Sequence, residues 1–172
     1  MLEVNLLSYS QAPPYFVDPP EGMKASLLDL IAYCARVSNP ENQDNRETSK
    51  KLIKYLIKHK HWSPLEMVSA CVEVTTTRDI ARQALRHRSF SFQEYSQRYA
   101  NPVEENSFEF VIREARLQEG NTVTRFCMNG TLRSYIHYIE LRSENGTQKE
   151  HMDMALAVGK VISSVFPYED LI

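Results

Sequence analysis

Most of the residues in this chain that could do chemistry lie in one stretch, Arg86-His87-Arg88-Ser89-Phe90-Ser91-Phe92-Gln93-Glu94-Tyr95-Ser96-Gln97-Arg98-Tyr99. Guanidinium forks match phosphate oxygens two bonds at a time. Serine hydroxyls and a glutamate suit sugar hydroxyls and base edges, and a glutamine offers a donor and an acceptor together, as a pyrimidine face does. This is the toolkit of a nucleotide site. Positive charge gathers in the same place. Between Arg78 and Tyr99 five arginines stand against Asp79 and Glu94, a local +3 in a chain of net charge -2, which leaves -5 for the remainder.

A solvated basic loop would account for the arginines but not for the aromatic residues threaded between them. Basic residues interleaved with aromatics also form the stacking platforms of single-stranded nucleic-acid binders, so residues 86–99 admit a second reading as such a module. A nucleic-acid binder would show strong salt dependence and no chromophore. Ser96 has no histidine or aspartate at a recognisable triad spacing, so it reads as a phosphate or sugar contact and not as a nucleophile. His59-Lys60-His61 lacks a third ligand in sequence, so no metal is expected and His59 reads as a surface residue. There is no GxGxxG after a strand and no GxxxxGK[ST], which excludes Rossmann and P-loop devices.

The frame that must position these groups is a folded chain of 172 residues, 42% hydrophobic and 24% charged, read as a single domain over residues 1–172. Five glycines, eight prolines and no biased repeat exclude collagen-like and low-complexity classes. No apolar run reaches the roughly 20 residues of a membrane span, and Met1 to Ser10 lacks the pattern of a secretory signal, so no membrane partner and a cytoplasmic location are expected. Cys34, Cys71 and Cys127 are odd in number and far apart among apolar residues, and read as reduced core residues.

Apolar spacing predicts a helix over Ser26 to Val37 capped by Ser26, and a second ending near His59. Ser63-Pro64-Leu65-Glu66 reads as a Ser-capped helical turn, and Val68 to Thr77 as a strand alternating Ala70, Val72 and Val74 with Cys71, Glu73 and Thr75. Thr77 is expected to cap a helix running to about His87. Arg78, Arg82 and Arg86 would share one of its faces, a repulsive arrangement that calls for an anion or carboxylates opposite. A strand over Val123 to Met128, a helix over Leu132 to Arg142 and a last helix opened by the capping box Thr147-Gln148-Lys149-Glu150 complete the pattern. Helices outnumber strands and no βαβ rhythm appears, so the fold class is α+β, with helices packed on a small, mostly antiparallel sheet.

With the spacing RHRxxSxxExSxRY, Arg86 to Tyr99 resembles the signature of the flavin-dependent thymidylate synthases. The resemblance extends upstream through Cys34-Ala35-Arg36-Val37-Ser38 and His61-Trp62-Ser63-Pro64-Leu65-Glu66, and downstream through Asn129-Gly130-Thr131-Leu132-Arg133-Ser134 and Leu141-Arg142. It implies a homotetrameric enzyme with sites between subunits. The enzyme would methylate deoxyuridine monophosphate (dUMP) to thymidylate, with methylenetetrahydrofolate as carbon donor and NADPH as reductant, through bound FAD. By the same resemblance Gln83, Arg86, Glu94, Ser96, Gln97, Arg98 and Arg142 contact dUMP. Ser63, Arg86, His87, Arg88, Glu94, Thr131, Arg133 and His137 contact FAD. Arg142 and His61 are the catalytic positions, the first against the uracil ring and the second near flavin and folate.

Physical reasoning agrees: a cation at Arg142 would stabilise charge developing on the pyrimidine as its C5 becomes nucleophilic. No cysteine lies near the motif in sequence, in keeping with a route that needs no covalent thiol. The chain departs from the family at Gln93, where asparagine is common, at Thr131, where asparagine often touches the flavin, and at Gly146, which replaces a frequent histidine. A longer departure lies between Tyr99 and Asn129. There the family carries a long helix ending in a phosphate-gripping arginine, and this chain has about thirty residues. If that helix is absent, Arg98 with Arg113 or Arg116 must hold the phosphate, and weaker substrate binding follows.

Overall fold

The computed structural model describes residues 2–13, 26–96, 98, 110–111, 121–143 and 149–167. The first strand, β1 (Glu3–Tyr9), is followed by α1 (Leu27–Ala35), α2 (Ser49–Lys58) and β2 (Ser69–Thr77). Next come α3 (Arg78–Ala84), β3 (Ser91–Glu94), the short β4 (Phe110–Val111), β5 (Asn121–Thr131), α4 (Leu132–Ser143) and α5 (Lys149–Ser163). The strands lie in the order β1-β2-β5-β3, every pair antiparallel, and β4 pairs with the start of β5. This is the α+β architecture that the element pattern predicts.

Period-two alternation gives the sheet one covered face. Ala70, Val72 and Val74 on β2 and Phe126 and Met128 on β5 are at most 1% exposed, while Cys71, Glu73, Cys127 and Asn129 turn to the other face. The registers Val72↔Met128 and Val74↔Phe126 set these apolar pairs side by side. Against them pack Ile80 of α3, Leu132, Tyr135 and Ile136 of α4, and Met154, Val158 and Ile162 of α5. On the open face Glu73 and Arg125 form a 3.6 Å ion pair.

Local chemistry explains the ends of several elements. Ser26 caps α1 as expected, in a capping box whose other half is Asp29: Asp29 N donates to Ser26 Oγ (3.2 Å), and Ser26 N donates to Asp29 Oδ2 (3.1 Å). Buried Arg36, in the stretch upstream of the signature, ties the end of α1 to the approach to α2 through Asn45 O and Thr48 Oγ1 (2.7 Å).

Other expectations are corrected. Ser63 is the first residue of a 3-10 turn (Ser63–Glu66) and does not cap it, because the cap position falls on Trp62, whose side chain makes no capping bond. Thr77 is extended ahead of α3 and likewise makes no capping bond. That helix ends at Ala84, so Arg86 leaves the face shared by Arg78 and Arg82. The three cysteines are free but half-buried and are not core residues. β1 and β3 carry no strand signal in the sequence reading. Both are half-exposed edge strands, whose polar face dilutes the alternation. Thr147 and Gln148 lie outside the described residues.

Candidate functional site

Strand β3 is the spine of the site. Phe92 and Glu94 pair with Met128 and Phe126 on the helix-covered face, while Gln93 opposes Cys127 on the open one. The fold therefore brings a cysteine beside the motif that the sequence separates from it, but on the wrong face for Glu94 and its neighbours. Just before β3, Phe90 is 8% exposed, with ring centroids 4.9 Å from Tyr135, 5.8 Å from Tyr138 and 5.1 Å from His87. It lies on Gly130, where a Cβ would sit 2.4 Å from Phe90 Cδ1, so the glycine is required by this close approach. Ser134 Oγ donates to Ser89 O (3.1 Å), and Ser134 N donates to Thr131 Oγ1 (3.3 Å), which caps α4. The Arg88-Ser89-Phe90 bend is thus fastened to the β5–α4 junction by packing and by a hydrogen bond.

Around His87 the site becomes cationic. Its ring is 5.6 Å from those of His137 and Tyr138, and Ser89 Oγ stands 2.9 Å from its Nδ1. Burial, then His137 and Arg142, push its pKa below the ordinary histidine value, so the imidazole is neutral at neutral pH. Arg142 Cζ lies 5.9 Å from the centroid of the Tyr138 ring, a cation over an aromatic face. Beneath them Tyr138 Oη is 3.0 Å from His151 Nε2, and His151 Nδ1 is 3.0 Å from Gln83 Oε1.

His151 is fully buried, and burial followed by the nearby Arg142 pushes its pKa down to about 4. In the unfolded chain it takes a proton near 6.5. The unfolded state therefore binds more protons between those values, so stability is complete above the upper one and falls as pH drops towards the lower. The loss amounts to on the order of 3 kcal/mol. Thermal melts across this window check the slope, which should flatten in His151→Leu.

Arg82 Nη2 meets Glu94 Oε2 at 3.3 Å, the carboxylate that the basic helix face calls for. Arg78, Arg82, Glu94, Tyr95, Ser96 and Arg98 line a cavity of about 410 Å³. Glu94 Oε1 and Arg142 Nε are among the polar side-chain atoms that are buried with no hydrogen-bond partner among the described residues. A buried acceptor and a buried cationic donor left open fit an absent polar ligand.

The other expected residues are spread around this centre. Arg86 and Arg88 are exposed. Arg133 pairs with Glu66, joining α4 to the 3-10 turn that holds exposed Ser63. His61 is exposed after α2, beside the rings of Tyr55 (6.1 Å) and His59 (6.2 Å). Gln97, Tyr99, Arg113, Arg116 and Gly146 lie outside the described residues. Sequence reasoning missed Tyr138 and His151. The signal available for His151 was its place on the apolar stripe with Met154, Ala155 and Val158. Among the described residues no His, Cys, Asp or Glu group of three or more could hold a metal, and no helix is long and apolar enough to cross a membrane.

Residues 25–121 and 115–168 match the sequence pattern of the family described as "Thymidylate synthase complementing protein". A probable flavin-dependent thymidylate synthase of Paramecium bursaria Chlorella virus 1 is 40% identical over 187 aligned positions, covering 81% of this chain and 87% of the relative. A flavin-dependent thymidylate synthase of Synechocystis sp. is 37% identical over 213 positions, covering 96% of both. Both alignments are longer than the 172-residue chain, so the relatives carry positions with no counterpart here. The two matched pieces of the family pattern meet at 115–121, inside the stretch that the sequence reading found short.

The fold is similar to that of Helicobacter pylori ThyX, solved with FAD and dUMP (TM-score 0.73, 18% identity, 99% of both chains). It is also similar to the UMP/dUMP methylase PolB of Streptomyces cacaoi, bound with 5-Br dUMP (TM-score 0.70, 17% identity, 96% of this chain and 91% of that one). With its signature strand, its arginine-lined cavity and relatives at this identity and coverage, the chain belongs to the flavin-dependent thymidylate synthase family.

Proposed function

We propose that this protein converts dUMP to thymidylate with bound FAD, methylenetetrahydrofolate as carbon donor and NADPH as reductant, in a homotetramer whose sites lie between subunits. The observation that carries this reading is the pair of buried, open polar atoms, Arg142 Nε and Glu94 Oε1. Exposed Arg86 and Arg88 support the shared site, since they point away from their own core, as residues serving a neighbouring subunit would.

Each group has a task that its setting favours. Arg142 faces the pyrimidine and balances negative charge as C5 becomes nucleophilic. Glu94 Oε1 accepts from a sugar hydroxyl while Oε2 stays on Arg82. Ser96 and Arg98, with Arg78 and Arg82 across the cavity, meet the phosphate. Ser63, Arg86, His87, Arg88, Arg133 and His137 would hold the flavin, with neutral His87 adding no charge beside it. Thr131 is committed to capping α4, so its role towards FAD is the weakest of the set. Bound FAD would supply the reducing equivalents that turn the transferred carbon into a methyl group.

The nucleic-acid reading loses support because Phe90 and Phe92 are turned into the core and are not presented for stacking. Titrating the FAD-loaded protein with dUMP tests the proposal: the flavin bands should shift, and an unchanged spectrum would sink it. Cys34→Ala, Cys71→Ala and Cys127→Ala should each retain thymidylate formation in a product assay, with Cys127 on the open face. Complete loss in a folded variant would reopen a covalent route. Light scattering of the purified protein checks the tetramer.

A further inference from the structure

A second cleft, of about 520 Å³, lies apart from the arginine-lined cavity and is walled by Arg36, Ser38, Thr48, Lys51, Leu52 and Tyr55. Arg36 is held in place by Asn45 O and Thr48 Oγ1 and forms a fixed cationic wall. Tyr55 is 52% exposed at the edge of the cleft. Its ring centroid lies 4.2 Å from that of His59 and 6.1 Å from that of His61, so the cleft adjoins the histidine assigned to the chemistry.

The helix beside the cleft is strongly basic. α2 carries Lys50, Lys51, Lys54 and Lys58 and no acidic residue. Lys51, Lys54, Tyr55 and Lys58 are all exposed and, at i, i+3, i+4 and i+7, share one face. On α3 the repulsion between arginines is relieved by Glu94, whereas among the described residues no carboxylate pairs with Lys51, Lys54 or Lys58. These three lysines span about 10 Å of helix. A phosphate calls for a compact cluster or a guanidinium fork, while ammonium groups strung along a helix match carboxylates strung along a chain.

We propose that this cleft and the lysine face of α2 bind the glutamyl tail of the carbon donor, so that the enzyme prefers a folate carrying several γ-linked glutamates to one carrying a single glutamate. This rests on the reading of methylenetetrahydrofolate as that donor. Such a tail is an aminobenzoyl ring followed by carboxylates at regular intervals. The ring lies against Tyr55 and the first glutamate in the cleft, whose volume suits a group of that size. The later carboxylates run over Lys51, Lys54 and Lys58. NADPH offers a compact phosphate beside adenosine and no such series of charges.

Turnover of the FAD-loaded protein with the mono- and triglutamate forms of methylenetetrahydrofolate tests the idea. The triglutamate should have a KM about tenfold lower, each exposed ion pair adding a small share, with kcat unchanged and the ratio shrinking as salt rises. The triple variant Lys51→Gln, Lys54→Gln, Lys58→Gln alters exposed side chains only and should fold. It should lose the preference while keeping the KM values for the monoglutamate, dUMP and NADPH. In calorimetry, aminobenzoyl-tri-γ-glutamate should bind the wild-type holoprotein and not the triple variant. Tyr55→Leu should raise the KM of both folates by the same factor. Equal KM values for the two folates in the wild-type protein would overturn the proposal and leave the activity standing. A preference that survives in the triple variant would overturn it too, as would a raised KM for NADPH there, which would give this face to the reductant. Absence of turnover with either folate would overturn the carbon-donor reading and this proposal with it.

Discussion

Arg142→Ala should lower thymidylate formation by about 1000-fold or more while FAD remains bound. The guanidinium rests on the Tyr138 ring in a half-buried position, and its Nε has no partner among the described residues. Nothing in the core depends on it, so the variant should fold. His87, His137 and Arg133, proposed above to hold the flavin, are untouched by the substitution, which is why absorbance of bound FAD should persist. Arg142→Lys keeps the charge but not the planar fork and should recover only part of the rate. Product formation measured beside the flavin spectrum separates these outcomes, and near-normal turnover in Arg142→Ala would remove this residue from the chemistry.

Phe90→Ala should destabilise the protein by about 3–4 kcal/mol, through lost burial and the cavity left among Tyr135, Tyr138, His87 and Gly130. For a chain of this size that corresponds to a drop in melting temperature of about 10 °C. FAD affinity should fall as well, because the ring supports His87 and the Ser89 bend. Gly130→Ala attacks the same contact from below. With the Ser134 Cβ at 3.3 Å on one side and a ring packed on three neighbours on the other, it should cost about 1–3 kcal/mol. Calorimetry with a flavin titration checks both. An unchanged melting temperature in either variant would mean that the ring relaxes freely and does not anchor the signature.

What the sequence could reveal follows from the range of the interactions involved. Capping boxes, proline turns and apolar stripes act over three or four residues, so α1, α2, β2 and the paired β5 and α4 were legible to within a few positions. The signature was legible because its spacing and residue types are themselves the chemistry. Strand β3 was not, because an edge strand with one polar face has no local mark and forms only when β5 lies beside it. The end of α3 at Ala84 was missed for a similar reason: the chain must turn there to carry Phe90 onto Gly130, forty residues later.

The sequence by itself determined the residue types of the site and the family they resemble. Only the tertiary structure decided that Cys127 faces away from Glu94 and that Arg82 is neutralised by that carboxylate. It alone also joined Gln83 to Arg142 through two buried rings from different helices. Those facts depend on contacts between residues as far apart as 68 positions, where pairing and packing, and not local propensity, choose the neighbours.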